Sequence, residues 1–382
     1  MNMRRDIRII FAGGGTGGHV FPAIYLAAYL KKYWGADCQF IGTKKGLENK
    51  KVPQSGFLMH HIWISGFRRG IYAGNLLFPL KLLISSAQCR KILKATKPDL
   101  VIGTGGYVAG PVLRQAAKMN IPTAIQEQNS YPGVTTRLLA PLVDCVFLAY
   151  ADAAKYLKKV KKMVVCGNPV KENIKVSDAQ EARKYFGLKN RQPVLLVFGG
   201  SQGARNLNQA VAEILENNGL SDVQLIWQTG RMEFEHYKEK YKDYQTINLS
   251  MLPFIDRMDF AYTVSDLAIT RAGAMTISEL AAAALPAILV PFPQSAADHQ
   301  SKNARTVEKA GGALLIEDKP GMTLKLLSAV RDLLSGPEKL KQMADSINRL
   351  HNGDSMAIIS EELRSLIEAH DRQSVNTVKQ NV

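Results

Sequence analysis

Two segments about half a chain apart read alike, and they constrain the fold more than anything else in the sequence. Arg8-Ile9-Ile10-Phe11-Ala12 runs into Gly13-Gly14-Gly15-Thr16-Gly17-Gly18-His19, and Val194-Leu195-Leu196-Val197-Phe198 runs into Gly199-Gly200-Ser201-Gln202-Gly203-Ala204. Each is a short apolar, β-branched run that breaks on glycine and continues into helix-forming residues, the pattern of a strand, a phosphate-type turn and a helix. The simplest architecture is two doubly wound α/β domains in tandem, each opening on its own strand and glycine turn. The 382 residues suffice, at about 150 per domain.

Apolar runs alternate with longer helical patterns, as parallel sheets require. In the first half they are Cys38 to Ile41, Leu100 to Ile102, Thr123 to Ile125, Cys145 to Leu148 and Met163 to Val165. In the second they are Gln224 to Trp227, Thr246 to Leu249, Leu267 to Ile269, Ala287 to Val290 and Ala313 to Ile316. The turn-rich Gly167-Asn168-Pro169-Val170 marks the join, giving domains over 1–170 and 171–354. A last helix over 355–372 is expected to return to the first domain, with a frayed polar end from Gln373.

Composition narrows the class. Hydrophobic residues at 46% and charged residues at 21% are those of an ordinary globular chain, which argues against disorder or a coiled coil. Cys38, Cys89, Cys145 and Cys166 form no CxxC pair, so a zinc site, a redox dithiol or a disulfide framework has no support, and a reducing cytoplasm fits. The apolar stretch Ile9 to Ala12 is too short for a signal peptide. The longest uncharged apolar run, Leu280 to Phe292, contains two prolines and falls short of the roughly 20 residues that cross a bilayer. No transmembrane helix is expected.

The net charge of +16 is unevenly placed. Residues 1–170 carry 24 basic and 7 acidic side chains, and the remainder 25 and 26. Such a bias points the first half at something anionic, nucleic acid or an acidic membrane surface, although a surface that is merely basic for solubility would look similar. Between Arg68-Arg69 and Ile84 the segment with Leu76, Leu77, Phe78, Leu80 and Lys81 combines flanking cations with apolar residues on nearly every helical face. It reads either as a core helix or as a surface segment dipping into an acidic leaflet. Aromatic residues are not interleaved with the basic ones, as a single-strand nucleic-acid platform would need.

Several glycine turns carry candidate chemistry. Gly13, Gly15 and Gly18 satisfy G-x-G-x-x-G, but no acid ends the next strand, where Gly42-Thr43-Lys44-Lys45 stands instead. A nicotinamide dinucleotide is thereby demoted, with Lys44 and Lys45 keeping a 2′-phosphate variant open. His19, at the start of the following helix, is placed to be a neutral imidazole and hence a general base, the helix amino terminus lowering its proton affinity. Gly103-Thr104-Gly105-Gly106-Tyr107 and Glu127-Gln128-Asn129 would lie at the carboxyl ends of strands, where open α/β sheets bind ligands. In the second half, Ser201 and the run Arg271 to Thr276 open helices whose free amides can hold a phosphate without a metal. Glu279 is placed to accept hydrogen bonds from vicinal ribose hydroxyls. Asp298-His299-Gln300 is a poor core pattern and a reasonable sugar site. No H-x-x-x-H or D-x-D motif backs metal chemistry.

These motifs, in this order, resemble the MurG family, the glycosyltransferases that add N-acetylglucosamine to lipid I in peptidoglycan synthesis. The resemblance rests on GGGTGGHVFPA at Gly13 to Ala23, GTGGYVAGP at Gly103 to Pro111, EQN at Glu127 to Asn129 and GNPV at Gly167 to Val170. It continues with GGSQGA at Gly199 to Ala204, PFIDRM at Pro253 to Met258, RAGAMTISEL at Arg271 to Leu280 and DHQSKNA at Asp298 to Ala304. It implies a GT-B fold, two Rossmann-like parallel-sheet domains facing a cleft. It also implies UDP-N-acetylglucosamine held mainly by the second domain, an undecaprenyl-linked acceptor approaching the first from an anionic membrane surface, and neither a cofactor nor nucleic acid as partner.

By motif position, Ser201 would contact the pyrophosphate, Phe254 and Ile255 the uracil, Glu279 the ribose, and His299 with Gln300 the sugar. Thr16, Gly17, Gly18, Asn129, Lys171, Met258, Ala274, Met275 and Thr276 would complete the donor contacts. Gly14, Gly15, Gly105, Gly106 and Tyr107 would face the acceptor, with Thr16, His19 and Asn129 lining the cleft on that side. Arg68, Arg69, Leu76, Leu77, Phe78, Leu80 and Lys81 would meet the membrane, on its cytoplasmic face. Two departures stand out: Lys171 follows GNPV where the family typically has Arg, and His299 stands where some members have Gln. A lysine neutralises a phosphate without gripping it bidentately, so nucleotide affinity is the property affected. The implied reaction is an inverting displacement with His19 as base. The rival readings are a sugar-nucleotide epimerase on the same fold, an NADP-dependent oxidoreductase and a non-enzymatic nucleic-acid binder.

Overall fold

The computed structural model describes residues 7–66, 76–176, 178–189, 192–199, 204–244, 247–295, 298–351 and 353–380, the side chains beyond 372 excepted. Two compact units result. The first takes the chain as far as Pro169 and again from residue 352 onward, and the second is Val170–His351.

In the first unit the order is β1 (Arg8–Gly13), α1 (Gly17–Trp34), β2 (Asp37–Gly42), α2 (Glu48–Gln54), β3 (Leu58–His61), α3 (Phe78–Thr96), β4 (Leu100–Gly105) and α4 (Gly106–Lys118). β5 (Thr123–Glu127), α5 (Val134–Leu139), β6 (Cys145–Leu148) and β7 (Met163–Val165) follow. The second unit contains α6 (Ala179–Tyr185), β8 (Val194–Phe198), α7 (Arg205–Glu216), β9 (Gln224–Gln228), α8 (Phe234–Lys240), β10 (Leu249–Leu252) and α9 (Met258–Val264). It continues with β11 (Leu267–Thr270), α10 (Ala274–Ala282), β12 (Ala287–Leu289), α11 (His299–Lys309), β13 (Ala313–Leu315), α12 (Met322–Leu334) and α13 (Pro337–Asn348), after which α14 (Ser355–Gln380) belongs to the first unit.

Both sheets are parallel throughout, in the orders β3-β2-β1-β4-β5-β6-β7 and β10-β9-β8-β11-β12-β13. The residues explain why. On β1, Ile9 and Phe11 enter one core while Ile10 and Ala12 enter another on the opposite face. On β8, Leu195 and Val197 point one way and Val194, Leu196 and Phe198 the other. A strand apolar on both faces can only sit between two layers of helices, and each such side chain contributes about 1.5–3 kcal/mol on burial.

Strands β3, β10 and β4 differ from the sequence-based expectation. β3 carries no apolar run, because it is an edge strand that pairs on one side only, with β2, and its His60 bonds to Gln39 at 2.8 Å. β10 covers Leu249–Leu252, later than the run expected to form it. β4 extends through the glycines to Gly105, and α4 begins at the next residue.

α14 buries Met356, Ile359, Leu363 and Ile367 in the same core as Leu26 and Leu30 of α1. The spacing of three and four residues puts all four on one helical face. Arg364 lies 5.3 Å from the Trp34 ring centroid, Glu362 pairs with Lys162, and His370 Nε2 donates to the Asn120 carbonyl at 2.7 Å. Leu363 is fully buried. Leu363→Ala is therefore expected to destabilise the first unit by about 2–5 kcal/mol, read as an earlier unfolding midpoint in urea.

Candidate active site

In each sheet the winding reverses beside the first strand: β1 lies between β2 and β4, and β8 between β9 and β11. At such a reversal the connections leave on opposite faces, so a crevice opens outside the carboxyl ends of the two strands. The glycine motifs occupy these ends.

In the first unit Gly13 of β1 pairs with Gly105 of β4 across a register shift. A β-carbon on Gly13 would meet Thr104 Oγ1 at 2.0 Å, and one on Gly106, whose φ is +75°, would lie 2.4 Å from the Gly14 carbonyl oxygen. Only glycine permits this approach. Thr104 Oγ1 donates to the His19 carbonyl at 2.7 Å, which ties the first turn of α1 to β4.

His19 is the third residue of α1. Its Nδ1 is 3.2 Å from the Gly14 carbonyl oxygen and 3.3 Å from Thr16 Oγ1. A carbonyl oxygen only accepts, so Nδ1 carries the hydrogen and Nε2 of the neutral ring holds the lone pair. A β-carbon on Gly105 would sit 3.0 Å from that Nε2. Burial lowers the proton affinity of His19, opposed first by the negative charge of Glu127, then by the Gly14 carbonyl and by Glu48. Desolvation thus acts on His19 in the direction expected of the helix terminus.

Around it, Glu127 at the end of β5 accepts from the Asn129 amide and side chain, both at 3.0 Å, and from the Gly133 amide at 3.0 Å. Buried Asn168 links Gln126 (2.7 Å) to the Gln128 carbonyl (3.1 Å), and Gln128 reaches the Thr104 carbonyl at 2.8 Å. The EQN and GNPV motifs thus meet in one polar network. Tyr107 packs on Gly15, whose φ is +90°. The Gly15 amide donates to Glu48, 3.0 Å away, so this turn supports His19 rather than presenting all its amides to a ligand.

In the second unit α10 starts at Ala274 after extended Gly273, with Met275 and Thr276 in its first turn. Those first amides have no intrahelical partner and suit an anion. Arg271 sets the turn. Its guanidinium donates to the carbonyls of Val290 (3.1 Å) and Pro291 (3.3 Å) and lies 2.8 Å from Asp318, with both side chains nearly buried. Glu279, further along α10, accepts from the Tyr262 hydroxyl at 2.8 Å. Burial raises its pKa to about 7, and the Tyr262 bond and the positive charge of Lys171 pull the other way. Lys171 also holds Asp259 down, after the larger effect of Arg257. Lys171, Met258 and Glu279 therefore lie in one region.

The remaining expected residues divide. Phe254 is partly exposed, whereas the Ile255 side chain is in the core and its amide donates to Gln228 Oε1 at 2.9 Å. Gln300 Oε1 accepts from the Phe292 amide at 2.9 Å, and His299 opens α11 behind Asp298, whose φ is +55°. Ser201, Arg68 and Arg69 lie outside the described residues. Of the apolar segment, Leu76, Leu77, Leu80 and Leu83 are exposed, but Phe78 packs on the core and Lys81 donates to Ser65 Oγ at 2.9 Å. Leu138 of α5, 71% exposed, joins the exposed apolar set without having been expected there. The four cysteines are buried, with thiols pushed up to about 12, so none is a nucleophile. Glu48 and Tyr262 are site-building residues that motif reading left without roles, and Arg271, read as part of a phosphate turn, instead braces that turn from within.

Two Rossmann-like parallel units, each with glycine turns at its reversal point, define the class of architecture, the GT-B fold. The chain matches the glycosyltransferase family 28 N-terminal domain over residues 9–148 and the C-terminal domain over 194–357. It is 40% identical to the UDP-N-acetylglucosamine--N-acetylmuramyl-(pentapeptide) pyrophosphoryl-undecaprenol N-acetylglucosamine transferase of Ruminiclostridium cellulolyticum, over 94% of this chain and 100% of that one. To the enzyme of the same name from Christiangramia forsetii it is 38% identical, over 96% and 99%. The crystal structure of Acinetobacter baumannii MurG superposes with a TM-score of 0.74 at 28% identity, over 94% and 99% of the two chains. A Staphylococcus aureus MnaA–UDP co-structure, at TM-score 0.64 and 16% identity, shares the fold. The chain belongs to the MurG family of N-acetylglucosaminyltransferases.

The Glu279 environment makes a testable statement about the free protein. Its folded pKa of about 7 exceeds the ordinary 4.5, so its contribution to stability is full below about pH 4.5 and is lost as pH rises through 7. Tyr262→Phe removes a bond to the charged form. Its expected effect is a higher Glu279 midpoint, seen by carboxyl-carbon NMR, and a larger fall in urea midpoint between pH 5 and pH 8.

Proposed function

We infer that the chain transfers N-acetylglucosamine from UDP-N-acetylglucosamine to undecaprenyl-pyrophosphoryl-N-acetylmuramoyl-pentapeptide, turning lipid I into lipid II in peptidoglycan synthesis. Family membership supports the substrates. The observation that carries the mechanism is His19, whose Nδ1–H is committed to Gly14 and whose Nε2 is left as an acceptor. The acceptor's 4-hydroxyl oxygen attacks the anomeric carbon with inversion, its proton passes to Nε2, and the bond to the diphosphate breaks with its electron pair going to UDP. Charge growing on UDP is met by the free amides at the start of α10 and by Ser201, with Lys171 nearby, in place of a divalent ion. Glu279 accepts from the ribose hydroxyls, Phe254 and the Ile255 backbone flank the uracil, and His299 and Gln300 hold the sugar. Asn129, fixed by Glu127, stands on the acceptor side with Thr16 and Tyr107.

The acceptor's lipid tail requires the enzyme to work at a membrane surface. Among the described residues no helix is long and apolar enough to cross a membrane. Leu76, Leu77, Leu80 and Leu83 are exposed at and before α3, in the half that carries the basic excess. This supports peripheral attachment to an anionic leaflet on the cytoplasmic side.

Replacing His19 by Ala is expected to lower turnover of a lipid I analogue by about 10²–10⁴-fold, with activity of the wild type unchanged by EDTA. A loss under tenfold in a folded variant would assign the base elsewhere, and strict dependence on added metal would refute the charge-stabilisation scheme. The double change Leu80→Asp and Leu83→Asp is expected to abolish co-sedimentation with vesicles containing phosphatidylglycerol while leaving turnover of a short-chain soluble acceptor within about twofold.

A further inference from the structure

We propose that Glu48 is a positioning residue for the transfer, fixing through the Gly14–Gly15 backbone which nitrogen of His19 is left to receive the proton. The proposal rests on the reading of His19 as the base. Glu48 opens α2 and is completely buried. Its Oε2 accepts from the Gly15 amide at 3.0 Å, and its Oε1 from the Thr43 amide at 3.1 Å and the Thr43 hydroxyl at 2.8 Å. Among the described residues no lysine or arginine pairs with it. A buried carboxylate held only by uncharged donors is costly to maintain.

The surroundings are shaped for it. β-Carbons on Gly14, Gly42 and Gly46 would come within 2.7, 2.6 and 2.1 Å of Glu48 atoms, so three glycines from two loops clear its space. All three polar groups aimed at it are donors, which a glutamine could satisfy only in part, because one of its two terminal groups is itself a donor. Loop packing alone would be served by an apolar side chain. What the carboxylate adds is a fixed Gly15 amide. The Gly14 carbonyl, at the other end of that same planar peptide unit, is thereby held against His19 Nδ1.

Glu48 also acts on His19 through its charge. The ionised groups that face the imidazole are Glu127, from the end of β5, and Glu48, from α2; both favour the protonated ring, against the desolvation that lowers its affinity. Tyr107, from the start of α4, packs on Gly15 and completes the enclosure. Burial and the two carboxylates thus act on the proton affinity of the base in opposite directions.

The test measures the histidine itself and the reaction separately, on full-length protein labelled with ¹⁵N-histidine. In wild type the neutral His19 is expected as the Nδ1–H tautomer. In Glu48→Gln the His19 midpoint is expected to fall by about half a pH unit or more, with part of the Nδ1–H form lost. The kcat is expected to fall about tenfold or more while the KM for UDP-N-acetylglucosamine stays within about twofold, with the acid limb of the kcat profile moving down with the midpoint.

Unchanged tautomer and midpoint in a folded Glu48→Gln protein would overturn the proposal, even if activity fell. Should that variant not fold, Glu48→Asp keeps the charge but shortens the reach to Gly15. It is then expected to leave the midpoint in place, lose part of the Nδ1–H form and lower kcat at least about threefold; wild-type spectra and turnover would overturn the proposal. If the spectra shift as expected but His19→Ala loses less than tenfold in turnover, the reading of His19 as base has failed and the role of Glu48 in transfer fails with it, a failure the spectra distinguish from the first.

Discussion

Each unit depends on the reversal of winding beside its first strand. A parallel strand must be left by a crossover that returns over one face of the sheet, and strands apolar on both faces demand crossovers over both. Where the direction changes, between β1 and β4 and between β8 and β11, the connections leave over opposite faces and open a crevice at the carboxyl ends of the strands. Amides, carbonyls and short polar loops collect there because that is where the chain can leave them without burying them unpaired. The glycines at Gly13, Gly105 and Gly106 are consequences of that crowding: two loops and the first turn of α1 meet at distances no β-carbon tolerates.

The two units use burial of ionisable groups in opposite ways. In the first, burial lowers the proton affinity of His19, and the carboxylates of Glu127 and Glu48 and the Gly14 carbonyl restore part of it. Glu48 tolerates full burial because three donors meet it. In the second, Glu279 has one hydroxyl partner and the field of Lys171, and burial prevails, raising it to about 7. That carboxylate is the less satisfied of the two, with room in its hydrogen-bonding capacity for further donors.

Much of the site was legible because its signals are local. A glycine run after an apolar strand announces a turn wherever it stands, and His19, Asn129, Glu279 and the start of α10 follow within a few residues of such runs. Glu48 was not legible. It sits in a lysine-rich stretch that carries no motif, and the Gly15 amide it accepts from is 33 residues away. Arg271 was read as part of a phosphate turn, but its partners Val290 and Asp318 come from other loops. Tyr262 has no motif to mark it: its ring is in the core and its hydroxyl reaches Glu279. β3 escaped because an edge strand need not be apolar, and the inward turn of Phe78 and Lys81 escaped because a helix apolar on nearly every face does not declare which face is covered.

By itself, the sequence determined that there would be two parallel sheets, where each would carry its glycine turns, and which residue types would stand at the strand ends. These follow from periodicity and from the steric freedom of glycine, properties of neighbouring residues. Only the tertiary structure decided which nitrogen of His19 carries the hydrogen, which carboxylates surround it, and how far burial shifts Glu279, because hydrogen bonding and desolvation depend on groups distant in the chain. The same holds for α14: its apolar stripe required a partner, and packing against α1 chose the first unit.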